Sequence, residues 1–87
     1  MKSVIFVPVI ESERGFGSKI DDYMVCLSDI DARIFIDEFN SKNNLDVVPD
    51  WYMRADTEYI NKDITDKQYE ILKQKNMIWF SELKKVV

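Results

Sequence analysis

The chain has 87 residues, of which 46% are apolar and 13% aromatic, a composition that supports a packed core and argues against intrinsic disorder. Its formal charge of −4 comes from interspersed acidic and basic residues without a basic run, so direct binding to nucleic acid is not expected. A chain of this length forms a single domain over residues 1–87 and buries only roughly 60 to 65% of its unfolded surface, so dimerisation would add stability.

The first predicted element is a β-strand over residues 2–10, which are rich in β-branched and aromatic side chains. Both alternating sets of side chains are apolar, which is typical of a strand covered on two faces or placed at a subunit contact. Pro8 cannot donate a ladder hydrogen bond, so we expect an edge or a bulge there. We expect neither a signal peptide nor a membrane partner, because no run approaches roughly 20 apolar residues.

Both glycines of the chain, Gly15 and Gly17, lie in the polar stretch that follows. Glycine tolerates positive φ and close approach of other groups, so residues 13–22 are predicted to be a shaped loop that joins the first strand to a second strand at residues 23–27. The loop lacks the spacing of a phosphate-binding loop. Three interpretations of the loop remain open. It is a looser anion site, a protein-binding loop, or a turn whose glycines only fix the hairpin geometry.

Ser28 and the two aspartates that follow it closely indicate the start of a helix over residues 29–42. Four apolar residues with helical spacing define the face that packs on the sheet: Ala32, Phe35, Ile36 and Phe39. Ile30 and Ile34 lie nearly opposite this face. Three interpretations of these two isoleucines remain open. They are tolerated surface residues, residues that the C-terminal segment covers, or a face for self-association or for a partner.

Residues 43 and 44 favour turns and end this helix, and an extended run over residues 47–59 is the predicted third strand. Alternation along the run gives Trp51 and Met53 one face and leaves the other face to their neighbours. We expect one pair to contact the core and the other to be exposed. The pair Tyr52 and Arg54 has the composition of an interface hot spot or of a structural cation–π contact.

Thr65 and Gln68 have the capping-box spacing, which predicts a second helix that ends near Lys75. The segment over residues 76–87 is open between continued helix and strand. We favour a short extended piece after a left-handed cap at Asn76. Together these elements predict an α+β fold, with a small, largely antiparallel sheet of three to four strands and two helices packed on one face.

The composition also limits the chemistry. The chain has no histidine, which removes the most common general base and transition-metal ligand. Cys26 lies in a predicted strand as the sole cysteine, so we expect it to be buried and unreactive, in a reducing compartment. Four aspartates between residues 21 and 31 do not match a calcium-loop spacing. We predict no metal, no cofactor and no enzymatic activity, and a metal-dependent hydrolase using carboxylates is the remaining enzymatic hypothesis.

Three segments, 17–22 (GSKIDD), 36–43 (IDEFNSKN) and 48–53 (VPDWYM), together resemble a group of short, mostly uncharacterised bacteriophage proteins. The resemblance extends from residue 2 to about residue 60. It implies expression in the cytoplasm of an infected bacterium. Proteins of that size and origin often act as stoichiometric inhibitors of host enzymes or defence systems.

The leading prediction is a phage accessory protein that binds and inhibits a host defence, toxin or nucleic-acid-processing protein. The predicted partner-binding residues come from the glycine loop and the third strand: Phe16, Lys19, Asp21, Asp22, Tyr52 and Arg54. Ile30 and Ile34 are the predicted self-association residues of a homodimer. The alternative function is a homodimeric sponge that captures a small anionic nucleotide signal with Arg14 and Lys19.

Overall fold

A computed structural model of the chain describes residues 1–42 and 51–86. The predicted helix end at residues 43 and 44, and the part of the third strand before residue 51, lie outside these ranges. The elements in chain order are β1 (Lys2–Glu13), β2 (Gly17–Cys26), α1 (Asp29–Lys42), β3 (Trp51–Ala55), β4 (Ile60–Ile64), α2 (Asp66–Lys75), β5 (Met77–Trp79) and α3 (Phe80–Leu83). The strand pairings are antiparallel, so the predicted α+β fold with a small antiparallel sheet is confirmed.

The central strand of the sheet is β1. β2 pairs along one side of it, β3 and β4 pair with successive halves of the other side, and β5 pairs with the end of β2. Between β3 and β4, residues 56–59 lie opposite only Val7 and Pro8. The Pro8 carbonyl accepts a hydrogen bond from the Asp56 N–H at 2.9 Å, so the proline nitrogen also points to this interruption. The proline therefore lies where the ladder is broken.

Both faces of the sheet are covered. The first core cluster packs α1 on one face and contains Ile5, Val7, Val9, Met24, Cys26, Ala32, Phe35, Ile36 and Ala55. The second packs α2 and α3 on the other face and contains Val4, Phe6, Val25, Ile64, Leu72, Ile78 and Leu83. The arrangement thus differs in one detail from the prediction of two helices on one face. The reason lies in β1, whose two alternating sets of apolar side chains each need a cover.

The helix ends agree with the sequence. Ser28 Oγ accepts the Asp31 N–H at 3.3 Å and caps α1, and Thr65 and Gln68 form the predicted capping box of α2. Asn76, with a φ of 66°, ends α2 where expected, and β5 is the extended piece that follows. β4 and α3 were not predicted. β4 is polar and mostly exposed, so its pairing with β1 defines it rather than its own propensity.

One end of the sheet extends beyond the buried residues of β1 and β2, which end at Val9 and begin at Met24. We call this extension the arm: residues 10–13 of β1, the turn that follows, residues 17–21 of β2, and residues 51–54 of β3, which pair with residues 10–13. The Cα radius of gyration is 13.8 Å, and the molecule measures 42 × 24 × 18 Å. A compact chain of this length would have a radius of gyration of about 12 Å. Over residues 1–42 and 51–86, no helix is both long enough and apolar enough to cross a bilayer.

Candidate protein-binding arm

The glycine loop is a tight turn at the tip of the arm. The Phe16 N–H donates to the Glu13 carbonyl at 3.0 Å, and Gly15 occupies the third position of the turn with a φ of 85°, as a type II turn requires. Gly17 follows with a φ of 84°. A Cβ at either glycine would meet nothing within 4 Å. The backbone angle therefore requires glycine here, and no close approach of another group does.

The turn is shorter than the predicted loop, because β1 extends to residue 13 and β2 starts at residue 17. Lys19, Asp21 and Asp22 were placed in the loop and lie instead on β2. The reason is that pairing with β1 overrides the weak strand propensity of these polar residues. The Lys19 ammonium lies 3.8 Å from a carboxylate oxygen of Glu11 on β1. Lys19 thus already has an acidic neighbour, which does not favour the nucleotide-sponge alternative.

Asp21 lies at an irregularity of the ladder. The register passes from Val9 opposite Asp22 to Ile10 opposite Ile20, which leaves Asp21 as the extra residue of a β-bulge. Its side chain is exposed. Bulges are common near functional surfaces because they redirect side chains, and here the bulge marks the base of the arm.

Asp22 has a role in the fold. One of its carboxylate oxygens accepts hydrogen bonds from the N–H groups of Tyr23, at 2.7 Å, and of Ser81, at 3.2 Å. Ser81 lies in the first turn of α3, where free N–H groups favour a carboxylate. Asp22 therefore holds β2 against the start of α3, and its contact with a partner stays a prediction.

The register of the arm puts two rows of side chains on the sheet face opposite α1. One row is Ile20, Ile10 and Arg54, and the next is Ser18, Ser12 and Tyr52. We call these six side chains the arm face. Met53 packs against the first core cluster on the α1 side, whereas its neighbours Tyr52 and Arg54 lie on the opposite face. The predicted alternation along β3 is therefore confirmed for residues 52–54. Among the described residues, the cation–π contacts involve lysines and none involves Arg54.

Several candidate binding residues of the arm are exposed. The Phe16 side chain at the tip is 84% exposed and Ile20 is 50% exposed. Arg54 is exposed and Tyr52 is half-buried. The structure thus brings Phe16, Tyr52 and Arg54, predicted in two separate segments, onto one arm, while Lys19 points to the other side of the sheet with Glu11.

The arm face includes Ile10 and Ile20, which were not predicted as site residues. The only sequence signal for Ile20 is its position as an apolar residue between Lys19 and Asp21. The sequence alone does not show that Ile10 and Ile20 share a face, because the extra residue of the bulge shifts the alternation between the two halves of β2. Pairing with a central strand therefore had to be known before the face could be assigned.

The other predicted surface lies elsewhere. Ile30 and Ile34, on the outer side of α1, are 70% and 44% exposed. The C-terminal residues through 86 do not cover them, because both stay exposed while Met77 and Trp79 of that segment pack against the first core cluster. That interpretation is wrong, and the choice between tolerated surface residues and a self-association face remains a prediction.

A cleft of about 440 Å³ lies between α1 and the segment 57–59, and it is lined by Arg33, Ile36, Asp37, Thr57, Glu58 and Tyr59. It contains no residue that was predicted as a site. Within the described ranges, no three acidic or cysteine side chains are grouped so that they could hold a metal ion. The cleft carries both charges and offers no arrangement of a recognisable chemistry.

Cys26 lies in the first core cluster with no exposed surface, which confirms that it is a buried cysteine. Burial, with a smaller contribution from the Asp31 carboxylate, raises the pKa of its thiol from 9.0 to about 12. The thiol stays protonated at neutral pH and is a poor nucleophile.

Comparisons with known proteins do not add to this description. No protein-family model, no curated protein and no solved structure matches the chain. The resemblance to bacteriophage proteins therefore stays a prediction from three short segments, and a functional proposal has to rest on the arm.

Proposed function

We propose that the chain is a non-enzymatic accessory protein of a bacteriophage that binds and inhibits a host protein through its arm. The observation that carries the proposal is the arm face together with Phe16 at the tip. A side chain that is 84% exposed contributes little to the core, so Phe16 is available to another molecule. Tyrosine and arginine on the adjacent strand are residue types enriched at interface hot spots.

The size of the arm limits what it can bind. Neighbouring strands lie about 4.8 Å apart, so the three strands present a face only about 10 Å wide. A standard interface buries about 800 Å² on each partner. The whole chain has 6052 Å² of accessible surface. A partner must therefore contact the tip as well as the arm face, and the affinity depends on a few anchors, of which Phe16 and Tyr52 are the largest.

The host and the compartment come from the resemblance. A phage protein made in an infected cell acts in the bacterial cytoplasm, and a non-enzymatic inhibitor acts on its target in a one-to-one complex. The defence, toxin and nucleic-acid-processing proteins of the host are the classes to test first.

The first experiment captures partners from bacterial lysate on the immobilised full chain. Four forms are compared: the wild type, Phe16→Ser, the double variant Tyr52→Ser/Arg54→Ser, and the control Ile30→Ser. The control removes an isoleucine that is 70% exposed on α1, away from the arm. We expect both arm variants to weaken capture of the same protein by tenfold or more, as loss of a hot spot does, and the control to leave it unchanged.

The captured protein is then titrated with the chain while its own activity is measured. Inhibition should be complete at one chain per target molecule. Binding without loss of activity would contradict the inhibitory part of the proposal. Capture that survives both arm variants but fails with Ile30→Ser would move the interface to α1, and absence of any captured protein at low and moderate salt would overturn the proposal.

A further inference from the structure

The fold closes the edges of its sheet with polar side chains at two places. On β3, the side-chain amide of Asn40 bonds to both backbone groups of Ala55: Nδ2 donates to the carbonyl at 3.1 Å, and Oδ1 accepts the N–H at 2.8 Å. On β2, the Asp22 carboxylate accepts the N–H of Tyr23 at 2.7 Å. At each place a side chain takes the position that a further strand would occupy.

A third part of the edge is left open. β5 covers β2 only from Met24 to Cys26. The Pro8 carbonyl points away from β2, so Pro8 and its partner Tyr23 are a pair without mutual hydrogen bonds. Counting in steps of two along β1, the residue pairs at Ile20 and Ser18 are of the same kind. Their backbone N–H and C=O groups therefore point outward from the sheet.

Within residues 1–42 and 51–86, no hydrogen bond reaches the outward backbone groups of Ile20 or Ser18. The chain re-enters the sheet at β3, on the far side of β1 from this edge. An unpaired, exposed edge with an isoleucine in its centre is a template for another strand. The remaining question is which strand fits it.

The charges on either side of Ile20 favour a second copy of the same segment as the added strand, because the segment is complementary to its own antiparallel copy. Lys19 and Asp21 flank Ile20, so an antiparallel copy of the segment centred on Ile20 brings each lysine opposite an aspartate. Ile20 then faces Ile20 of the copy, and the two exchange both backbone hydrogen bonds. Opposite charges directly across two strands attract, whereas like charges repel. We propose that the outer edge of β2 pairs with the same edge of a second copy of this chain, about a two-fold axis at Ile20.

The other open edge does not have this property. β4 also lacks a second neighbouring strand among the described residues. An antiparallel copy of β4 centred on Lys62 would put two lysines directly opposite each other, which disfavours pairing. Lys62 lies 5.7 Å from the ring centres of Phe6 on β1 and Tyr23 on β2, so its ammonium reaches back across the face of the sheet and not outward from this edge.

The paired segment is short. It is limited to residues 19–21 of each copy, because the bulge at Asp21 leaves the backbone groups of Asp22 directed toward Val9 and α3 begins beside Asp22. We therefore expect a weak dimer, with a dissociation constant of roughly 10 μM to 1 mM. Pairing joins two five-stranded sheets into one, with both arm faces on the same side. This inference does not depend on the proposed function, since it concerns the isolated chain.

The test is sedimentation equilibrium of the full chain up to about 1 mM, together with amide exchange of Ile20 as a function of concentration. The wild type should shift from monomer to dimer, and exchange of the Ile20 N–H should slow as it does so. Lys19→Asp replaces two attractive pairs by two repulsive ones, and Asp21→Lys does the same. Each should weaken dimerisation by roughly tenfold or more.

The decisive controls restore the complementarity. The double variant Lys19→Asp/Asp21→Lys has the opposite charge pattern and should dimerise again. It has the same residue beside Glu11 as the single variant Lys19→Asp, so its recovery separates pairing from a local effect of Glu11. A mixture of Lys19→Asp with Asp21→Lys should form heterodimers, since every charge then meets its opposite.

Several results would overturn the inference. One is a wild type that stays monomeric up to about 1 mM. Another is a dimer that both single variants leave unchanged. A dimer that is abolished by Ile34→Asp but not by the single charge variants would belong to α1 instead, and failure of the double variant to recover would exclude the two-fold register at Ile20.

Discussion

Asn40 offers the sharpest test of how this sheet is held together. Its side-chain amide makes two hydrogen bonds to Ala55, one to the carbonyl at 3.1 Å and one from the N–H at 2.8 Å. Ala55 has no exposed surface. Replacement of Asn40 by alanine leaves both backbone groups of a buried residue without these partners. We expect a loss of stability well above that of an ordinary surface substitution.

The expected loss of stability follows from the two backbone groups of Ala55 that lose their hydrogen-bond partner. A buried donor or acceptor without a partner costs about 1–3 kcal/mol, and partial access of water at the helix end reduces this, so Asn40→Ala should lower the free energy of unfolding by about 2–4 kcal/mol. A chain of this length has a total of roughly 4–13 kcal/mol. The melting temperature should fall by roughly 10 to 20 °C.

Two further variants separate the contributions. Asn40→Asp keeps an acceptor for the Ala55 N–H but places a carboxylate oxygen against the Ala55 carbonyl, so its loss of stability should be at least as large as that of Asn40→Ala. Ser41→Ala, at the exposed neighbouring position on α1, should change stability by less than about 0.5 kcal/mol. Urea unfolding gives the stabilities, and amide exchange of Ala55 reports the hydrogen bond itself. If Asn40→Ala stays within about 0.5 kcal/mol of the wild type and Ala55 exchange is unchanged, the edge is not held by this side chain.

Four other substitutions test the backbone and the core. Gly15→Ala and Gly17→Ala should each lower the free energy of unfolding by about 1–2 kcal/mol. A Cβ has room at both positions, but φ values of 85° and 84° strain an L-residue. A neutral result in urea unfolding would contradict this prediction. Asn76→Gly should raise stability by up to about 1 kcal/mol, since Asn76 has a φ of 66°, and a decrease would show that its side chain matters more. Burial holds the pKa of Cys26 near 12 against 9.0 in the unfolded chain, so the unfolded chain binds fewer protons between these values and stability falls as pH rises. The fall is at most about 1.4 kcal/mol per pH unit, and it should be shallower in Cys26→Ala; equal slopes in pH-dependent unfolding would refute the assignment.

Local patterns in the sequence predict most of the fold. The helix spacing of Ala32, Phe35 and Ile36, the capping box at Thr65 and the two apolar sets of β1 each depend on neighbours a few residues away, and the structure agrees with all three. β4 and α3 could not be predicted in this way. β4 is a strand because β1 lies beside it, and α3 begins where Asp22, distant in sequence, accepts the Ser81 N–H.

The sequence predicted only part of the candidate site, because the site also depends on contacts between residues that are distant in the sequence. Phe16 and Arg54 are exposed, as expected of binding residues. Their presence on one arm depends on the register of three strands, which a single sequence does not specify. The bulge at Asp21 has a larger effect, because one extra residue moves Ile20 to the other face of the strand and hides it from any count of alternation.

Edges are the main difficulty for a five-stranded sheet in so short a chain. Single polar side chains bond to the outward backbone groups at two places on the edges: Asn40 at Ala55 and Asp22 at Tyr23. Each is an ordinary surface-type residue in the sequence, and only the three-dimensional structure shows that it replaces a strand. Among the described residues no side chain does this at Ile20, where the flanking Lys19 and Asp21 would each meet an opposite charge in an antiparallel copy of the segment. An edge that has no neighbouring strand among the described residues and that carries self-complementary charges has the features expected of a surface for association.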